Sequence, residues 1–162
     1  MALIRAPRAR DTIVYGGLTA GMLDACDAMA FFGARGASPQ RIARYVASEL
    51  VGPGAFDGGG SMIVLGVVGH FAVALAIAAT FWGLARRLRA PVEHPVIGGI
   101  GFGVAANVVM DHVVVPLSRA PAAAGAFSWA VLANGVLGHA LLIGLPIALW
   151  AARSSRAPVT RR

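Results

Sequence analysis

SMIVLGVVGHFAVALAIAATFWGLA, residues 61–85, holds no Asp, Glu, Lys or Arg. About 20 mostly apolar residues, rising about 1.5 Å each, carry a helix across the hydrocarbon of a bilayer. This run exceeds that length, and His70 is its single ionisable member. Residues 96–116 and 128–152 pass the same test. A fourth run, 12–33, is long enough but contains Asp24 and Asp27. Each carboxylate at mid-span costs about 2.5–3.5 kcal/mol on an insertion scale.

The whole chain agrees with these runs. Of its 162 residues, 57% are apolar and 13% charged, and its mean hydropathy is +0.72. Soluble domains carry about 25% charged residues. Too little polar surface is left to keep the chain in water, which excludes a soluble enzyme. The sequence therefore predicts an all-α integral membrane four-helix bundle, a single domain over residues 1–152, followed by a basic cytoplasmic tail at 153–162.

The net charge of +7 comes from 14 basic residues, every one an arginine. With four spans, Arg5, Arg8, Arg10, Arg86, Arg87, Arg89, Arg153, Arg156, Arg161 and Arg162 share one side. Arg35, Arg41, Arg44 and Arg119 fall on the other. The positive-inside rule then places both termini in the cytoplasm of a bacterial inner membrane. If the first span failed to insert, the N-terminal arginines would lie across the membrane from the other two clusters. A cleaved leader ending near Ala28-Met29-Ala30 competes with that first span, but Asp24 and Asp27 interrupt it. The arginines sit in short segments between apolar runs, so the bilayer is the expected partner and nucleic acid is not.

Boundary residues refine the layout. Asp11, Ser61 and Ser128 can each cap a helix, Pro95 suits a first turn after His94, and Pro116 suits an exit. In the long outward connection, Ser38-Pro39 opens a short interfacial helix over about 39–50. Its apolar stripe is Ile42, Val46 and Leu50, with Arg41, Arg44 and Ser48 turned away. The GPGAFDGGG stretch at 52–60 reads as a hinge. Gly17/Gly21 and Gly99/Gly103 are small-xxx-small pairs, suited to a tight bundle and to a homodimer. Pro146, eased by Gly144, should bend the last span. Cys26 reads as a small buried hydrophobe, and a lone cysteine excludes an intrachain disulfide.

Eight polar residues lie where hydrocarbon is expected: Asp24, Asp27, His70, Asn107, Asp111, His112, Asn134 and His139. All fall at mid-depth or in the outer half, and Asp24/Asp27 and Asn107/Asp111 share helix faces. His112 points about 100° away from Asp111. The simplest arrangement is an outward-open pocket lined by all four helices.

Three explanations fit these residues. Carboxylates beside histidines can exchange protons or bind a cation or small solute, as in a transporter. His70, His139 and Asp24 can ligate a transition metal, which would suit a metal-dependent membrane enzyme, although no diagnostic ligand spacing is present. Alternatively, the polar groups are interhelical glue in a non-catalytic scaffold or stress-associated partner protein. A carboxylate at mid-depth is expensive as glue alone, which favours the first. No phosphate-binding glycine loop or nucleophile motif occurs, and there is no lysine.

Short matches run along nearly the whole chain: Ala20, Gly21 and Asp24; Ser38-Pro39 with Arg41-Ile42 and Ala47-Ser48; Ala55-Phe56 with Gly58-Gly59. They continue through His70-Phe71, Met110, Pro116-Leu117-Ser118, His139, Gly144 and Pro146. On these the chain resembles a family of bacterial four-helix inner-membrane proteins and, more distantly, the YagU-type proteins. The resemblance implies an inner-membrane location and a four-span layout. It supplies no reaction for Asp24, His70 or His139. The family often carries an amide or another polar group where Asp111 stands.

Overall fold

The computed structural model describes residues 6–121 and 127–156, and no strand occurs among them. Helix α1 (residues 10–33) opens with wide π-type turns over Arg10–Gly16 and continues as regular α-helix over Gly17–Gly33. Helix α2 (Pro39–Val51) is followed by a 3-10 turn at Pro53–Phe56. Then come α3 (Gly60–Arg87), a single turn at Ala90–Glu93, α4 (Pro95–Leu117) and α5 (Trp129–Arg156). Three of these, α3, α4 and α5, are long and apolar enough to cross a membrane. Helix α1, which carries Asp24 and Asp27, is not among them.

Some caps match the sequence and some do not. The Ser38 hydroxyl accepts from the Arg41 amide at 3.2 Å and the Ser128 hydroxyl from the Val131 amide at 3.4 Å. Pro95 opens α4 after His94. Asp11 does not cap α1, which starts one residue earlier after Ala9; its carboxylate lies inside the first turn, near the positive end of the helix dipole. Ser61 does not cap α3, because Gly59 and Gly60 already begin the turn.

Two π segments interrupt the long helices, Met110–Val114 in α4 and His139–Gly144 in α5. Each ends two residues before a proline, Pro116 and Pro146. Proline lacks an amide hydrogen and its ring presses on the carbonyl four residues back. A widened turn absorbs both effects and lets the helix continue, so Pro146 interrupts α5 without ending it.

Helices α1 and α5 occupy the centre; α3 packs against α1, and α4 against α5. Two long-range bonds tie the start of the chain to the bundle. The Arg8 amide donates to the Ser154 hydroxyl at 3.0 Å, and the Trp82 indole donates to the Pro7 carbonyl at 3.0 Å. Arg10, Arg86, Arg87, Arg89, Arg153 and Arg156 thus gather at one end, the arginine-rich end. Arg5, Arg161 and Arg162 lie outside the described residues.

The apolar core sits in the arginine-rich half, around Ala78, Phe81, Val92, Ile147, Ala148 and Ala151. Phe81 and Phe102 pack edge to face at 5.0 Å. Glycines bring the backbones together here. Gly17 and Gly21 face Leu75, Ala78, Phe71 and Ala74 of α3, while Gly99 and Gly103 face α5 around Leu145 and Ala140. Gly144 answers from α5, against the backbone of Gly99 and Gly103. Both small-residue pairs are therefore buried within one chain, and neither offers the free face that the sequence assigned to a homodimer.

Helix α2 meets α3 through small residues as well as its apolar stripe, whose Val46 and Leu50 reach Gly69. It crosses α3 where the Ala43 carbonyl meets Gly66, a contact so close that only small residues fit beside it. Ala47 and Ser48 are fully buried, with the Ser48 hydroxyl satisfied by the Tyr45 carbonyl at 2.6 Å. Leu50 is left 52% exposed. The Arg119 amide donates to the Glu49 carbonyl at 2.9 Å and ties the end of α4 to α2.

Candidate functional site

All eight polar residues lie at or beyond the helix midpoints, away from the arginine-rich end, and three helices converge on Asp24 of α1. From α3, His70 places Nδ1 at 3.9 Å from Asp24 Oδ2. Its other nitrogen, Nε2, lies 2.8 Å from the Gly21 carbonyl oxygen. A carbonyl only accepts, so Nε2 carries the hydrogen, and neutral His70 turns a lone pair toward Asp24. From α5, His139 donates through Nδ1 to the Gly135 carbonyl at 3.1 Å, which leaves Nε2 as its lone-pair nitrogen. His139, His70 and Asp27 are the charged neighbours of Asp24. Asp24 itself makes no hydrogen bond among the described residues, and its side chain is 25% exposed.

The other two carboxylates at this level are each held by an amide. Asn134 donates to Asp27 Oδ2 at 2.7 Å, linking α1 to α5. Asn107, only 2% exposed, donates to Asp111 Oδ2 at 3.2 Å within α4. Its amide packs against Gly135, where an added Cβ would lie 3.1 Å from Asn107 Nδ2. Asp111 is exposed and is not among the charged neighbours of Asp24. His112 is exposed too and donates to the Val108 carbonyl of its own helix at 3.1 Å. The cluster around Asp24 therefore has residues from three helices, not four; the polar residues of α4 turn toward Gly135 of α5 and Tyr45 of α2 instead.

The proposed metal set does not assemble. No three His, Cys, Asp or Glu side chains gather in a metal-binding arrangement among the described residues. Asp24, His70 and His139 are neighbours, but the three side chains do not close to a common ligand distance among the described residues. Cys26 is exposed rather than buried. It follows Asp24 by two residues, about 200° around the helix, and so points outward when Asp24 points in.

One acid was not singled out by sequence reading. Glu49 of α2 is partly buried, and burial raises its carboxyl above the ordinary value, against a smaller lowering from nearby His70. Tyr45, one turn earlier, is raised by burial and then by the carboxylates of Glu49 and Asp111. Their spacing of four on an amphipathic helix was the available signal. The crossing at Gly66 is what turns that face toward His70.

Comparison with known proteins finds no matching family model, no matching curated protein and no matching solved structure.

Proposed function

We propose that this chain is a four-span bacterial inner-membrane protein with both termini in the cytoplasm, whose outward-facing Asp24–His70–His139 cluster exchanges protons for a bound cation and serves its transport. Support for α1 as the fourth span comes from its ends. Arg10 lies over Tyr15 at 5.4 Å and Arg35 over Phe31 at 3.5 Å. The same arrangement recurs in Arg86 over Trp82 and Arg153 over Trp150. Aromatic rings beside basic groups suit the two membrane–water interfaces. At about 1.5 Å per residue α1 is about 36 Å long, enough to span. The resemblance to YagU-type proteins fits the same location.

The observation that carries the functional reading is the absence of an amide partner at Asp24. Glue requires satisfied polar groups, as at Asp27 and Asp111; Asp24 has the His70 imidazole at 3.9 Å and His139 farther off instead. Because His70 Nε2 and His139 Nδ1 both hold their hydrogens against carbonyls, each imidazole has one free nitrogen. In the neutral state the cluster holds one proton, on Asp24 as carboxylic acid or passed to an imidazole as carboxylate with imidazolium. A cation that binds the carboxylate displaces that proton toward the open end. Charge then balances without a buried net charge.

Infrared difference spectra of the purified chain between about pH 5 and pH 8, where histidine titrates, test this directly. A carboxyl band that is lost in Asp24→Asn and kept in Asp111→Asn is expected. Spectra left unchanged by Asp24→Asn in a folded protein contradict the proposal. The second reading, a scaffold held by polar glue, draws on the Asn134–Asp27 bond. It predicts no carboxyl band that depends on Asp24.

A further inference from the structure

Beside the Asp24 cluster, a shallow cleft of about 380 Å³ opens between α1 and α5. Phe31, Leu137, Leu141 and Leu142 wall it, and Ala133 and Gly138 make room. Its polar groups are Asp27 and Asn134. Leu137 and Leu141 are 59% and 46% exposed, so the cleft opens sideways. Under the four-span layout proposed above, that flank faces lipid in the outer half of the bilayer.

We infer that this cleft binds a lipophilic monocation, an apolar body bearing one delocalised or amine-type positive charge, with Asp27 as its counter-charge. Two considerations favour that occupant over a plain acyl chain. First, an acyl chain gains nothing from a carboxylate, and a carboxylate in an apolar wall is costly without a partner. Second, Asn134 satisfies one oxygen of Asp27, and no arginine pairs with it among the described residues. One negative charge is left for a ligand. Gly138 keeps the approach open, because an added Cβ there would stand 3.4 Å from Asp27 Oδ2. The volume lies in the range that takes a small organic molecule, about 300–1,000 Å³.

Asp27 and Asp24 are three apart on one helix, so a cation released from the cleft meets the proton-exchanging cluster next. The cleft thus gives the proposed transport a substrate class.

Equilibrium binding of radiolabelled tetraphenylphosphonium to the full chain in detergent micelles tests the inference. This probe holds a permanent charge and cannot itself titrate. Saturable binding is expected, weakened about tenfold or more by Asp27→Asn and not displaced by neutral tetraphenylmethane. Ala133→Phe fills the cleft from an exposed position and should weaken binding without touching any charge, so the test stands if Asp27→Asn fails to fold. Asp111→Asn, on α4 and outside both the cleft and the Asp24 cluster, should bind the probe within about threefold of the unaltered chain. Binding unchanged in folded Asp27→Asn and in Ala133→Phe overturns the inference. So does equal competition by tetraphenylmethane, which would mark the cleft as an acyl-chain seat. Binding that depends on Asp24 alone overturns it as well, while leaving the proton-exchange reading intact.

Discussion

The arginine-rich half of the bundle and the opposite half are built from the same four long helices on opposite terms. In the first, glycines and alanines let backbones touch, Phe81 and Ile147 are fully buried, and the buried hydroxyls of Ser154 and Ser155 are satisfied by the Ala151 carbonyl at 2.9 and 2.8 Å. In the second, carboxylates, amides and imidazoles take the interior positions, and Asp24 and His70 keep 25% and 22% of their side chains exposed. One half is closed by packing, and the other is left open around ionisable groups. A bundle held together only by polar glue has no need for such a division. A molecule that admits a solute from one side and blocks the other has every need for it.

Breaking the closed half should have the largest effect. Gly99→Leu pushes a side chain into the backbone of Gly144 and Leu145. Overpacking against backbone costs about 3 kcal/mol or more, so little folded protein should be recovered by size-exclusion chromatography. In the open half the same measurement should discriminate among carboxylates. Asn134→Ala strips Asp27 of its amide and should lower stability by about 1–3 kcal/mol, read from thermal melts in detergent. Asp24→Asn removes no hydrogen bond and should shift stability by less than about 1 kcal/mol, while abolishing the titrating carboxyl band. Equal destabilisation by these two substitutions would erase the distinction between held and free carboxylates.

The smallest effect should come at the rim. Burial raises the Glu49 carboxyl, so the folded chain holds that proton more tightly than the unfolded one. Its stabilisation is complete below the unfolded value and is lost as pH rises through the raised one. Glu49→Gln should therefore melt about 1–2 °C higher than the unaltered chain near neutral pH, and the two curves should converge in acid. A difference that grows on acidification has the wrong sign.

Much of the fold was readable because it rests on local chemistry. Unbroken apolar length marks α3, α4 and α5, and Ser38, Pro95 and Ser128 mark three helix starts. Tertiary contact decided what could not be read. The stripe at Ile42, Val46 and Leu50 marked α2 as an interfacial helix with Ser48 turned away, and the approach of Ala43 to Gly66 is what buries Ala47 and Ser48. Spacing put Gly17/Gly21 and Gly99/Gly103 on helix faces but could not say that each faces a helix of the same chain. Periodicity assumes 3.6 residues per turn, and the π segments before Pro116 and Pro146 change the register through Asp111, His112 and His139. The eight polar residues were all visible; which of them meet was not. Pairing depends on helix order, and the polar residues of α4 turn toward α5 and α2.

One-sided access to Asp24 is the central claim, and cysteine labelling tests it most directly. In a chain carrying Cys26→Ala, Asp24→Cys should react with a membrane-impermeant thiol reagent added on the side opposite the arginine-rich end, and Ile147→Cys should react from neither side. Labelling of Asp24→Cys only from the arginine-rich side, or from neither side while Ile147→Cys is labelled, would contradict an open outer half above a closed inner one.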